Sequence, residues 1–215
     1  MNKISKGKAV GLLSLGLASV ALGSVGFASW VVSTTTVSAP NSVSATVGAI
    51  SDRRITMTAT VKEGAVAFDS KESAEGPITS TETKEDLIFS IDYTLFAGAD
   101  LTNGAKATWN VALPTALDGK NYAVYVGAYP NETCTLGSEI TSVTAAQGET
   151  KTGTIYFKMG WGAAFKNMNP SDLTDSDFDS NVTLQKVIDG LKDLKTIMTD
   201  PTNKITVTFS ASANA

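Results

Sequence analysis

Carboxylates are the side chains in this sequence with the clearest capacity for chemistry. The chain has 215 residues, of which 21 are aspartate or glutamate, one is cysteine and none is histidine. The serine and cysteine nucleophiles of the familiar catalytic triads need an imidazole base, and the zinc site built from two histidines of one helix needs imidazole ligands. Composition therefore excludes those classes of enzyme.

The densest group of carboxylates contains Asp175, Asp177 and Asp179. Oxygen ligands at alternate positions of a loop can surround calcium, which takes about six to eight oxygens. The spacing matches the start of an EF-hand loop, but Ser180 stands where that loop needs glycine and Lys186 where it needs glutamate. Two interpretations remain: a calcium site, or solvated charges near the positive end of a helix dipole. The second is the simpler expectation, so no cofactor is predicted.

Two further activities can be examined from the residues. A glycosidase needs only two carboxylates at a set separation, but aromatic residues, which often form sugar platforms, make up only 7% of the chain. Trp109 and Trp161 lie in alternating segments and are expected in the core. The run Gly160-Trp161-Gly162 lacks the third glycine and the lysine of a phosphate-binding loop. A carboxylate-based hydrolase is thus the least favoured function.

The elements that position these residues are mostly β-strands. In residues 86–95, apolar side chains at every second position predict a strand with one buried face. Half-polar strands of this kind are typical of antiparallel sheets. The sequence therefore predicts an all-β fold, an antiparallel β-sandwich. Six further segments alternate in the same way: 43–49, 55–61, 109–113, 122–128, 155–161 and 205–211.

One amphipathic helix is predicted near the C-terminus, at about residues 183–199. Its apolar side chains recur at helical spacing, with charged residues mainly on the opposite side. Asp200-Pro201 ends it, because proline disfavours a helical conformation in the residue before it. We expect the apolar stripe to cover one end or face of the sandwich. The charged, serine-rich residues 69–84 are predicted to form a long loop.

The N-terminal segment is typical of a secretory signal peptide. Basic residues precede an apolar stretch, residues 9–27, which ends in the small-residue pattern Gly26-Phe27-Ala28, as such peptides require. Cleavage between Ala28 and Ser29 is expected, which makes residues 1–28 the signal peptide. The alternative is retention as a membrane anchor, since residues 9–32 are long enough to cross a bilayer. Either outcome predicts a secreted or cell-surface protein.

Charge and cysteine content limit the partners of the exported part. Acidic residues outnumber basic ones, 21 to 17, which disfavours nucleic acid and anionic lipid; membrane contact is expected only through an uncleaved signal segment. The lone Cys134 cannot form an internal disulfide, so stability must come from packing or assembly. It is expected to be a buried small hydrophobe, with pairing between chains as the alternative. Residues 41–215 are expected to form one sandwich domain.

The signal segment has a regular spacing of glycines, carried by Lys8, Gly11, Leu12, Gly16, Gly23 or Gly26, and Phe27-Ala28-Ser29-Trp30. In this pattern it resembles the signal segments of the TasA/CalY (camelysin) group of exported Gram-positive proteins. The resemblance implies processing by a dedicated signal peptidase of the SipW type. The aromatic-acidic dipeptide often found after the cut in that group is replaced here by Trp30-Val31.

A second resemblance lies in residues 157–165 and the following Asn169-Pro170. This segment is similar to one in exported Gram-positive proteins of unknown function that share the signal type, and it implies relatedness rather than an activity. Its glycines are expected to allow a tight bend after a strand, with Trp161 and Phe165 packed beneath it.

The resemblance also gives residues 29–40 a possible role. Proteins resembling TasA form fibres in which the N-terminal strand of one subunit completes the jelly-roll sandwich of the next, and this segment is in the matching place. It is rich in β-branched residues, which favour strands. Added to an exposed sheet edge, it would bury alternate side chains, either Trp30 and Val32 or Val31 and Val37. The alternative is an edge strand of its own domain.

Three functions therefore remain, in order of preference. The first is a secreted, non-enzymatic surface or biofilm matrix subunit whose partners are copies of itself and, during export, the signal peptidase. The second is a monomeric exported module that binds cell wall or glycan through its loops. The third is the carboxylate-based hydrolase.

Overall fold

The computed structural model describes residues 36–39, 43–64, 66–69 and 87–214. Within these residues the chain forms ten β-strands, one α-helix and several short 3-10 turns. The strands are β1 (Thr36–Ala39), β2 (Val43–Ile50), β3 (Ile55–Glu63), β4 (Val66–Asp69), β5 (Ile88–Ala97), β6 (Ala105–Ala112), β7 (Ala123–Tyr129), β8 (Ser142–Ala145), β9 (Thr150–Trp161) and β10 (Ile205–Ala213), and the helix α1 (Leu184–Thr199) precedes β10.

Eight of the strands form two packed sheets of four. One sheet has the order β2-β10-β6-β8 and the other β3-β5-β9-β7, while β1 and β4 form a separate pair. This confirms the all-β sandwich with one helix near the C-terminus. Eight strands in two sheets is also the strand content of a jelly roll.

One strand pair departs from the predicted antiparallel arrangement. β10 runs antiparallel to β6 but parallel to β2. A hairpin constrains neighbouring strands to be antiparallel, whereas a parallel pair needs a long connection. β2 and β10 lie near opposite ends of the described chain, so no hairpin dictates their relative direction, and alternation within each strand could not reveal it.

The core lies between the two sheets and follows the alternation of the sequence. Phe89 and Leu95 of β5 are fully buried, as are Val207 and Phe209 of β10. Rings from opposing sheets meet, with the centroids of Phe157 and Phe209 6.5 Å apart. Burial of a side chain of this size stabilises the folded state by about 1.5–3 kcal/mol. The packing of the sheets is therefore the main source of stability in a chain without an internal disulfide.

Helix α1 packs its apolar stripe on one end of the sandwich, against β1 and the turns that follow β6 and β9. The side chain of Thr183 caps the helix by accepting a hydrogen bond from the backbone nitrogen of Lys186, and the helix ends before Asp200. Its first turn contains no acidic residue. Asp175, Asp177 and Asp179 lie before the Thr183 cap and not in this first turn, while Asp175 and Asp179 are exposed, as expected of solvated loop charges. The buried residues of α1 are Val187, Gly190, Leu191, Leu194, Ile197 and Met198.

The end of β9 and the lone cysteine pack as predicted. Trp161 and Phe165 are both buried, with ring centroids 5.3 Å apart and planes at 90°. Cys134 is fully buried, and burial raises the pKa of its thiol to about 11. It is thus a core residue rather than a reactive group. Among the residues that the structure describes, no helix has the length and apolar character needed to span a bilayer.

Candidate functional site

The predicted assembly segment is only partly described. β1 pairs antiparallel with β4 of the same chain, with Val37 opposite Phe68. At Val37 the segment therefore follows the alternative expectation, an edge strand of its own domain. Trp30, Val31 and Val32 lie outside the described residues, as does the expected cleavage bond between Ala28 and Ser29. Most of the predicted loop 69–84 also lies outside them, and its first residue ends β4.

Two of the three aspartates of the calcium hypothesis, Asp177 and Asp179, are engaged in separate turns. The Asp177 carboxylate closes a turn by accepting hydrogen bonds from the backbone nitrogen and the hydroxyl of Thr174, at 2.8 and 2.6 Å. Asp175 begins the same short 3-10 turn and is exposed. Among the described residues, no three histidine, cysteine, aspartate or glutamate side chains are grouped so that they could hold a metal ion. The Asp177 carboxylate therefore organises a turn.

Asp179 closes the next turn. Its Oδ1 accepts hydrogen bonds from the backbone nitrogens of Asn181 and Val182, at 2.7 and 2.8 Å, and its Oδ2 accepts one from Lys166 Nζ at 2.8 Å. The hydrogen bond from Lys166 and those from the backbone lower the pKa of Asp179 to about 2. The pair joins this turn to the bend that follows β9.

An open groove runs along one side of the sandwich. β7 is the last strand of its sheet, and β8 pairs with β6 only over residues 105–108. Among the described strands, residues 109–112 of β6 have no partner on that side. A cavity of about 340 Å³ lies between this part of β6 and β7. We call it the edge groove; its lining includes Trp109, Val111, Tyr125, Val126, Glu139 and Ile140.

The floor of the edge groove is aromatic and only partly covered. Trp109 and Tyr125 are half-buried, and each ring packs on Phe157, with centroids 5.9 and 6.4 Å away. Burial raises the pKa of Tyr125. One end is closed where the backbone nitrogen of Ile140 donates to the carbonyl of Ala128 at 2.8 Å. The groove thus offers an apolar floor beside an unpaired backbone.

The two strands that flank the edge groove differ in regularity. β7 has a register shift between Tyr125 and Gly127, and Val124 and Val126 are 42% and 44% exposed. Such bulges bend a strand and make its edge a poor template. β6 pairs with β10 without a shift from Ala105 to Ala112. The regular edge in the groove is therefore that of β6.

A second groove lies between α1, the loop 118–122 and the bend after β9, with a volume of about 600 Å³. We call it the helix groove. Asp193 Oδ2 accepts hydrogen bonds from Lys120 Nζ at 2.6 Å and from Tyr122 Oη at 3.1 Å. The hydrogen bond from Lys120 lowers the pKa of Asp193, while burial raises that of Tyr122. This cluster ties the helix to the loop before β7.

Two more charged residues of α1 line the helix groove. Lys186 Nζ donates to the backbone oxygens of Ser180 and Asn181, at 3.2 and 2.9 Å. Asp189 Oδ1 accepts a hydrogen bond from Gln185 at 3.0 Å. Each of these side chains therefore makes its hydrogen bonds to residues within six positions of it in the sequence.

No family model, no curated protein and no solved structure matches this chain. Sequence reasoning missed both grooves. The edge groove arises because β8 is shorter than β6, and the helix groove joins residues as distant as Lys120 and Asp193, which are 73 positions apart. The one sequence feature that bears on the helix groove is the turn pattern Asp118-Gly119-Lys120, which places a lysine shortly before the start of β7 at Ala123.

Proposed function

We propose that this chain is an exported, non-enzymatic structural subunit of a cell surface or extracellular matrix, which polymerises by adding a strand of one copy to the sandwich of another. The observation that carries the proposal is the regular, unpaired edge of β6 at residues 109–112, which borders the edge groove. An unpaired edge satisfies its backbone groups when an extended segment joins it, and alternate side chains of that segment are buried.

The donor is residues 29–35 of a second copy. This run, Ser-Trp-Val-Val-Ser-Thr-Thr, has no charged side chain and favours a strand. Seven residues in a strand span about 23 Å, whereas the four unpaired residues of β6 span about 13 Å. The donor therefore reaches along the whole open edge. Trp30 and Val32 would face the aromatic floor, and Val31 would point away from it.

Processing controls when this happens. Cleavage after Ala28 by the signal peptidase frees the donor as a new N-terminus, while β1 remains paired with β4 of the same chain. The subunit therefore keeps its own short strand pair and donates only the residues before it. Partners are copies of the same chain, and polymerisation outside the cell needs no cofactor.

The donor is tested by comparing residues 29–215 with residues 36–215, which lack the donor but keep β1. Light scattering and electron microscopy at matched concentrations are the measurements. We expect filaments from the longer chain and monomers from the shorter one. Monomers from both chains, or filaments from both, would contradict the proposal.

The acceptor is tested with Val111→Lys, which puts a charge into the edge groove, a device that blocks strand addition. Thr108→Lys is the matched control, since Thr108 is an exposed residue of the same strand that lies in the half paired with β8 and does not line the edge groove. Only Val111→Lys should abolish filaments. The Val111→Lys form of residues 29–215 has a donor but no acceptor, whereas residues 36–215 have an acceptor but no donor. A mixture of the two should therefore form dimers that cannot grow further. Filaments from Val111→Lys alone would rule out this edge.

A further inference from the structure

We propose that the helix groove binds a neutral saccharide. Its volume of about 600 Å³ falls within the range of about 300–1,000 Å³ typical of ligand sites. The proposal is independent of polymerisation, because it concerns a different groove with a different lining.

The charges of the helix groove favour a neutral ligand. Two lysines and two aspartates line it: Lys120, Lys186, Asp189 and Asp193. An anion would approach both carboxylates and a cation both ammonium groups, and such like-charge approaches select against charged ligands. A neutral molecule with many hydrogen-bonding groups meets no such repulsion.

The groove has unused hydrogen-bonding capacity of both kinds, acceptors and donors. Asp193 meets both of its partners through Oδ2, so its Oδ1 remains available as an acceptor. Asp189 uses Oδ1 for Gln185, so its Oδ2 is available too. An ammonium group has three donors, and Lys120 spends one of them on Asp193. A hydroxyl group both donates and accepts, so a polyol can use both kinds of group at once.

The groove also has an apolar wall for the carbon face of a sugar ring. The half-buried Tyr122 ring stacks on Phe165 with centroids 5.6 Å apart and planes at 30°, and Ala163 and Ala164 also line the groove. A Cβ at position 190 would come within 3.1 Å of the Tyr122 ring. Glycine at this position therefore lets the helix α1 lie close to that ring. An apolar surface with a few placed polar groups is the usual composition of a ligand site.

The polar groups are already held in place. The bond between Lys120 and Asp193 and the two carbonyl contacts of Lys186 restrict these long side chains before a ligand arrives. Side chains ordered in advance lose less conformational entropy on binding. The groove is therefore suited to a small ligand with modest contact area.

The test is isothermal titration of residues 29–215 with three neutral probes: hexamers of β-1,4-linked N-acetylglucosamine, β-1,4-linked glucose and α-1,4-linked glucose. We expect saturable heat with at least one of them. Lys120→Met and Tyr122→Ala should weaken that binding at least about tenfold, since each removes a hydrogen bond or the apolar wall. Lys151→Met, at an exposed lysine of β9 outside the groove, is the matched control and should leave binding unchanged.

Tyr122→Phe guards against loss of folding, because it removes only the hydroxyl and keeps the ring stack. It should weaken binding less than Tyr122→Ala, and thermal melting reports whether each variant is folded. No heat with any of the three probes would overturn the proposal. So would binding that Lys120→Met and Tyr122→Ala leave unchanged, or tighter binding of a hexamer of galacturonic acid, which carries negative charge.

Discussion

At the scale of single residues, Gly162 marks a position where the backbone of two segments touches. Its φ is −89°, which any residue can adopt, so the restriction is steric rather than conformational. A Cβ there would lie 2.7 Å from the carbonyl carbon of Asn121, which belongs to backbone and cannot rotate away. The bend after β9 and the start of β7 are held together by this approach and by the hydrogen bond from Gly162 to Tyr122.

We therefore expect Gly162→Ala to lower the free energy of unfolding by about 1–3 kcal/mol, the cost of overpacking. Gly119→Asn is the control: Gly119 has φ +72° with nothing within 4 Å of a Cβ, and asparagine tolerates that conformation. It should cost less than about 1 kcal/mol. Urea denaturation followed by circular dichroism measures both, and equal losses would show that the contact with Asn121 is unimportant.

Asp179 makes the stability of this end of the molecule sensitive to acid. The hydrogen bond from Lys166 lowers its pKa from 3.8 to about 2. A carboxyl with a lowered pKa in the folded state contributes stability above its ordinary pKa, and this contribution is lost as pH falls towards the folded value. The loss should thus occur between about pH 4 and pH 2.

The measurement is the melting temperature as a function of pH from about 5 to 2. Asp179→Asn keeps an oxygen that can accept from the backbone of Asn181 but removes the charge, so its melting temperature should fall less steeply than that of the parent chain. Asp175→Asn removes a charge that no hydrogen bond or ion pair among the described residues engages, so it should follow the parent curve. A parallel curve for Asp179→Asn would mean that Lys166 adds no stability.

At the scale of elements, α1 is attached mainly by its apolar stripe. Leu194 is fully buried, whereas its neighbour Lys192 is exposed. Leu194→Ala should lower the free energy of unfolding by about 2–5 kcal/mol, because it removes buried methyl groups and leaves a cavity. Lys192→Ala should change it by less than about 0.5 kcal/mol. Chemical denaturation distinguishes the two, and a small loss for Leu194→Ala would mean that the helix is loosely docked.

Alternation of apolar residues was sufficient to locate the long strands, and apolar residues at helical spacing located the helix. All seven segments predicted from it are strands, because each has one face in a shared core. The four-residue strands β4 and β8 were missed; a pattern of period two needs more residues to be recognised. β4 even includes the first residue of the predicted loop 69–84. Short strands form because a partner backbone is nearby, and that is a property of the fold.

The candidate sites were less predictable than the elements that form them. Whether an edge is free depends on which strands pair, and β6 has an unpaired half only because β8 begins at Ser142, opposite Thr108. The helix groove depends on how α1 docks, since Asp193 and Lys120 come from different elements. Local sequence carries neither kind of information. The composition alone excludes histidine-based catalysis, because the chain has no histidine.

At the scale of the whole molecule, the last strand holds the middle of one sheet. β10 lies between β2 and β6, so the described chain must bring its two ends together before that sheet is complete. Pairings between residues far apart in sequence require loop closure before they contribute stability, which slows folding. Ile205, Val207 and Phe209 of β10 are also fully buried in the core. The sandwich therefore depends on its final segment more than its length suggests.

A chain that stops at Asn203 should consequently fail to fold, since it loses the strand that joins β2 to β6 together with three fully buried side chains. We expect circular dichroism without a cooperative thermal transition. A chain that stops at Ala213 retains all of β10 and should melt like the parent. Adding a synthetic peptide of residues 204–215 to the shorter chain should restore β-sheet signal, because the missing strand pairs through both of its edges. A cooperative transition in the shorter chain without the peptide would show that β2 and β6 can complete the sheet by themselves. Folding would then not require β10.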